Sequence, residues 1–177
     1  MPEPDAFSNR KAREWVPIEH VRIGGACVAT SSRAELVDAA VKDAAIPPDA
    51  RVPRLVFHVN AHGLSLAARN KDHRDDLDKA DILHADGGFL VTASRMFASE
   101  NIKERSAVTD LIHNFASDPG NRHSFYLLGA SEQVNTKAAE VLQRTYPGLR
   151  IVGRHHGFFP GTTRQALFPT STRQSPT

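Results

Sequence analysis

About thirty residues, Ser124 to Gly153, constrain this chain more tightly than any other stretch. Ser124-Phe125-Tyr126-Leu127-Leu128 reads as a buried-type strand, short and apolar. Gly129-Ala130-Ser131 then opens a helix that runs through Val134, Ala138, Val141 and Leu142 to Tyr146. Pro147-Gly148 stops it, and Leu149 to Gly153 is a second strand. Strand, glycine turn, helix and strand at this spacing form a βαβ unit, which fixes a parallel pairing and a right-handed crossover.

The rest of the chain alternates in the same way. Val21 to Thr30 reads as one or two short strands broken by Gly24-Gly25. Ser31 or Ser32 caps a helix carrying Leu36, Val37, Ala40, Val41 and Ala44 to about Ala45, and Pro47-Pro48 ends it. Leu55 to Val59 is a clear strand between Pro53 and Asn60. Short helices follow over Leu64–Asn70 and Asp72–Lys79, then a strand over Ala80–Ala85. Leu90 to Phe97 and Thr109 to Phe115 are helical, and Asp118-Pro119-Gly120-Asn121 is a turn. The pattern predicts an α/β fold: a Rossmann-like, mostly parallel sheet flanked by helices, in a single domain. Residues 1–17 are expected to be a loose N-terminal arm, 18–159 the folded domain, and 160–177 a disordered tail.

At 177 residues the chain can bury one sizeable core. Twenty-two Lys and Arg against 20 Asp and Glu leave a formal +2, so no bulk field points to nucleic acid. The one cysteine, Cys27, excludes an internal disulfide framework and a cysteine-rich metal site, and its apolar setting reads as core. No apolar run reaches the roughly 18–20 residues that span a bilayer, and the polar start is unlike a secretory signal. The cytoplasm is the expected compartment.

The chemistry is expected around Leu83-His84-Ala85-Asp86-Gly87-Gly88-Phe89. In open α/β sheets ligands bind beyond the carboxyl ends of strands. Asp86 stands at such an end, followed by glycines that let a ligand or another backbone approach. It is the candidate catalytic carboxylate; a solvated Asp-Gly turn is the competing reading. Asn60, with His58 and His62, follows the clearest strand, and its amide can donate to and accept from a sugar hydroxyl. A metal site at His58 and His62 is poorly supported, since they straddle a strand end with no further ligand pattern. Arg105, within Lys103-Glu104-Arg105 just before Thr109-Asp110, suits neutralisation of a departing diphosphate, unless the triplet is a solvated charge run. Gly129 can bring phosphate to a helix start, or be a tight βα turn. His155 and His156 after the last strand can hydrogen-bond a ligand, or be polar loop residues. On these residues alone, an enzyme acting on a nucleotide-linked ligand and a non-catalytic nucleotide- or sugar-binding domain stay equally open.

Taken in order, several segments resemble the bacterial WecG/TagA/CpsF glycosyltransferases over roughly residues 18–159. They are Val59-Asn60-Ala61; Ala80-Asp81 leading to Ala85-Asp86-Gly87; Glu104-Arg105 with Thr109-Asp110-Leu111; Tyr126-Leu127-Leu128-Gly129; and Tyr146 to Gly153 followed by His155-His156-Gly157-Phe158-Phe159. The resemblance implies transfer of a sugar from a UDP-sugar to a polyprenyl-diphosphate-linked saccharide, in surface polysaccharide synthesis on the cytoplasmic face of the inner membrane. It implies inversion, with no metal and no other cofactor. Asp86 then matches the general base. Asn60 matches a substrate-site position and Arg105 a diphosphate-side position. His58, Gly87, Thr109, Asp110, Gly129, His155 and His156 fall in the substrate-binding motifs. His58, Phe89 and Val108 depart from the family's usual Thr, Gly and Gly.

The larger departure is the end of the chain. Pro160 to Thr177 is rich in Thr, Ser and Pro and shows none of the family's C-terminal motifs or its membrane-contacting region. Codons can be chosen for Pro169–Thr177 so that a neighbouring frame reads Asp-Ile-Asn-Ala-Ser-Lys-Pro-Asp, a family-like motif. The tail is accordingly read as a frameshift beginning near Pro160, a reading that sequencing of the locus decides. On that reading the expectations are weak or absent transfer by this 177-residue chain, and self-association through uncovered apolar surface.

Overall fold

The computed structural model describes residues 15–47, 52–117 and 123–158. The expected turn at 118–121, Phe159 and the tail from Pro160 lie outside the described residues, as do residues 1–14 of the expected arm. The chain divides into two compact units, 1–118 and 119–177.

The first unit opens with β1 (His20–Ile23) and β2 (Ala26–Ala29), an antiparallel hairpin. Gly24 and Gly25 turn it with φ of +57° and +86°, values that match a type I′ turn. Next comes α1 (Arg33–Ala45), which Ser32 starts with a full capping box: its hydroxyl accepts from the Glu35 N–H, and Glu35 returns the bond to the Ser32 N–H. β3 (Val56–Val59) pairs in parallel with β4 (Ile82–Ala85), and the short helices α2 (Ala61–Ala67) and α3 (Lys71–Leu77) connect them. α4 (Gly88–Phe97) and α5 (Val108–Ala116) complete the unit.

Strand alternation builds its core in two layers. Leu83 and Ala85 face one apolar cluster with Val21, Val28, Val59, Leu64, Leu90 and Ile102. Ile82 faces the other, with Ala29, Leu36, Val37 and Leu111. β4 is therefore buried on both faces, as its continuous apolar run requires. Trp15 stacks on the Arg54 guanidinium, 5.1 Å from ring centroid to Cζ, and the Val16 carbonyl accepts from Arg54 Nη1 at 3.2 Å.

The second unit is the predicted βαβ: β5 (Ser124–Leu128), α6 (Glu132–Thr145) and β6 (Arg150–His155), with the strands parallel. The fold is thus mixed α/β, and among the described residues two of the three strand pairs are parallel.

Three expectations are corrected. Cys27 is exposed, because the hairpin register pairs it with Arg22 while its neighbour Val28 takes the inner face. β5 is not a buried strand: Tyr126 and Leu128 are exposed and Phe125 and Leu127 half-buried, so it alternates. His155 belongs to β6 rather than to the loop after it. The register jumps from Phe125–Ile151 to Tyr126–Gly153, and Val152 is the extra residue of a bulge that carries the strand further.

Candidate functional site

The parallel register sets Val59 opposite Ala85, so β3 and β4 end level and their next residues, Asn60 and Asp86, emerge together. The Asp86 N–H donates to the Val59 carbonyl at 2.8 Å, which ties the second strand tip to the first. Asn60 caps α2, its Oδ1 accepting from the Gly63 N–H at 2.9 Å. Gly87 has φ +131°, a conformation that side chains avoid, and a Cβ there would stand 3.9 Å from the Asn60 Cβ. The turns after the two strands are therefore in van der Waals reach. Asp86 is half-buried, and His58, one residue short of the β3 tip, is exposed.

Arg105 arrives at the same place from a distant part of the sequence. The Ser106 N–H donates to the Ala85 carbonyl at 2.8 Å, which brings the residue after Arg105 against the residue before Asp86. Arg105 Nη2 donates to Asp110 Oδ2 at 2.9 Å, and Arg33 Nη1 lies 3.5 Å from the same oxygen. Arg33 also holds Glu104, through its backbone N–H at 2.8 Å and its Nε at 3.1 Å. Asp110 sits in the first turn of α5, where a carboxylate complements the helix dipole, and Thr109 beside it is exposed. Two arginines and two carboxylates thus alternate beside the strand tips.

The second unit gathers Gly129, His155 and His156 at the carboxyl ends of its own strands. The Gly129 N–H donates to the His155 carbonyl at 3.0 Å, and the Gly157 N–H donates to the Ala130 carbonyl at 2.8 Å. Gly129 has φ +137°, and a Cβ on Gly157 would come within 3.1 Å of the Gly129 Cα, so these backbones pack directly together. Asn135 Nδ2 clasps the group, donating to the carbonyls of Gly129 at 3.0 Å, His155 at 3.2 Å and Leu127 at 3.3 Å. His155 Nδ1 lies 2.7 Å from the His156 carbonyl, and the Phe158 N–H donates to His156 Nδ1 at 3.2 Å.

The model of the Glycosyl transferase WecG/TagA/CpsF family matches residues 21–175, a span that holds both clusters. The chain belongs to this family. It is a glycosyltransferase of cell-surface polysaccharide synthesis, a family whose reaction moves a sugar from a sugar-nucleotide donor to a lipid-linked acceptor. The match runs past Phe159, where the resemblance read from motifs stops. No curated protein matches the chain.

Four residues of this WecG/TagA/CpsF member escaped the sequence reading. Arg33 and Asn135 act through contacts that no local spacing announces. Ser106 is buried at the seam between Ala85 and Arg105. His84, on β4 two residues before Asp86, is also buried. Burial lowers its basicity; His58, whose ring centroid is 6.2 Å away, adds to that, and Asp86 opposes it. A lone histidine inside the strand run was the one available signal. Among the described residues, no group of three or more His, Cys, Asp or Glu is arranged to hold a metal ion. No helix among them is long and apolar enough to cross a membrane.

Proposed function

We propose that this glycosyltransferase moves a sugar from a UDP-sugar to a hydroxyl of a polyprenyl-diphosphate-linked saccharide, at the cytoplasmic face of the inner membrane, with inversion at the anomeric carbon. Asp86 is the general base. Its carboxylate takes the hydroxyl proton while the acceptor oxygen bonds the anomeric carbon from one side. The bond from that carbon to the diphosphate oxygen breaks on the other side, and UDP leaves with the electron pair. Arg105 neutralises the charge that builds on the diphosphate, and Asp110, with Thr109 beside it, keeps the guanidinium in place.

Asn60, His58 and the bare backbone at Gly87 receive the hydroxyls of the reacting sugars. Gly129, at the turn into α6, and the His155–His156 pair are the second unit's own groups for binding a polar ligand. The observation that carries this reading is the pairing of Asn60 and Asp86 at level strand ends, with Asp86 hung on Val59 and the Arg105 segment bonded to Ala85. The test is a panel of UDP-sugars offered with a polyprenyl-diphosphate-linked acceptor. UDP release that requires the acceptor and disappears in Asp86→Asn supports the proposal; UDP release unaffected by Asp86→Asn overturns it.

A further inference from the structure

The segment Ile102–Ala107 has no regular secondary structure, yet Ile102, Ser106 and Ala107 are buried. Buried backbone of this kind must find partners for its polar groups. The Ile102 N–H donates to Ser94 Oγ at 2.9 Å, the Lys103 N–H to the Thr30 carbonyl at 3.1 Å, and the Ser106 N–H to the Ala85 carbonyl at 2.8 Å. Residues 103–106, at most about 11 Å of chain, therefore lace the end of β2 to the end of β4. α1 starts just past the end of β2, and its first residue is Arg33. The same lacing that carries Arg105 to the Asp86 tip thus brings Arg33 beside it.

The two arginines end on one atom. Arg105 Nη2 is 2.9 Å from Asp110 Oδ2 and Arg33 Nη1 is 3.5 Å from it, so the guanidinium groups stand a single carboxylate oxygen apart. Stability gives little reason for this arrangement. A cation in the first turn of a helix is opposed by the helix dipole, like charges this close repel, and half-exposed ion pairs add little. Neither fork is used up. Arg33 spends Nε on Glu104 and Nη1 on Asp110, and Arg105 spends Nη2 on Asp110. Arg33 Nη2 and Arg105 Nε and Nη1 have no acceptor among the described residues. Planar forks with donors to spare match phosphate oxygens.

We infer that Arg33 is a second substrate-binding residue for the diphosphate. With Arg105 it forms a two-arginine clamp on the phosphate oxygens of the nucleotide, while Glu104 and Asp110 hold the forks in place. The inference rests on the roles proposed above for Arg105 and the UDP-sugar.

Calorimetric titration of the full chain with UDP, the product that carries the charge developed in the reaction, tests it. Arg33→Gln is expected to weaken UDP binding about tenfold, as loss of a charged hydrogen-bond donor does. It should weaken it at least about threefold further in a chain that already carries Arg105→Gln. Arg33→Lys should keep part of the affinity. Both Arg33 variants should hold the wild-type urea midpoint, since the pair with Glu104 is half-exposed. Unchanged UDP affinity in Arg33→Gln overturns the clamp. So does a loss that vanishes in the Arg105→Gln background, because Arg33 would then act only through Arg105. A wild-type chain that does not bind UDP refutes the proposed donor instead, and inorganic pyrophosphate then decides the clamp: binding about tenfold weaker in Arg33→Gln upholds it, and equal or no binding overturns it.

Discussion

The amide of Asp86 donates to the carbonyl of Val59 at 2.8 Å, so backbone bonding, rather than its own side chain, fixes where this carboxylate stands. Asp86→Asn should therefore leave the fold intact while removing the proposed base. Transfer is expected to fall about 10²- to 10⁴-fold, the usual contribution of a positioned general base. The check is kcat for acceptor-dependent UDP release, beside the urea midpoint, which should not move.

Arg105 makes a two-part prediction. Arg105→Ala should cost about 10²- to 10³-fold in kcat, as loss of one transition-state donor does. Arg105→Lys should recover part of this, since it restores charge without the planar fork. The contact with Asp110 is half-exposed, so neither change should shift the urea midpoint by more than a surface ion pair is worth, about 1 kcal/mol or less.

Gly87 and Gly88 are adjacent but should respond in opposite ways. At Gly87 the φ of +131° makes any side chain strained, although a Cβ would meet only the Asn60 Cβ at an ordinary 3.9 Å. Gly87→Ala is expected to cost about 1–3 kcal/mol through backbone strain. Gly88 begins α4 and a Cβ there meets nothing within 4 Å, so Gly88→Ala should be neutral or stabilising by about 0.4–1 kcal/mol. Urea denaturation of the two variants measures both.

Stability should fall with acid in two separate windows. Burial, then the charge of His58, hold His84 below the ordinary histidine value of 6.5. The unfolded chain takes up that proton first, so this contribution is complete above about pH 6.5 and is lost as pH falls below it. Glu35 is held down to about 2 by its bond to Lys103, and next by the Ser32 backbone. Its contribution is complete above 4.5 and is lost as pH falls from there toward 2. Denaturation midpoints from pH 8 to 2 should lose the upper slope in His84→Leu and the lower one in Glu35→Gln.

The order of elements was legible because it is local. Caps, prolines, glycine turns and apolar runs lie within a few residues of the structure they specify, and the βαβ unit and the Ser32 cap came out as read. The strand ends that carry Asn60 and Asp86 were legible for the same reason. What was not legible depends on register and distance. Whether Cys27 or Val28 faces inward is set by pairing across the hairpin, and the length of β6 by one bulged residue. Arg33 meets Glu104 and Asp110 across 71 and 77 residues, beyond any periodicity. His84 looked like one more member of an apolar strand, because its burial depends on packing that no local pattern announces.

The irregular segment between α4 and α5 has a consequence for how this enzyme can change. A ladder of strand bonds moves as a whole or not at all. Residues 102–107 instead hang on separate pins at Ser94, Thr30 and Ala85. Altering one pin can re-aim Arg105 while the β3–β4 pair beneath it stays where it is, leaving a route by which donor preference drifts in small steps without the scaffold being rebuilt.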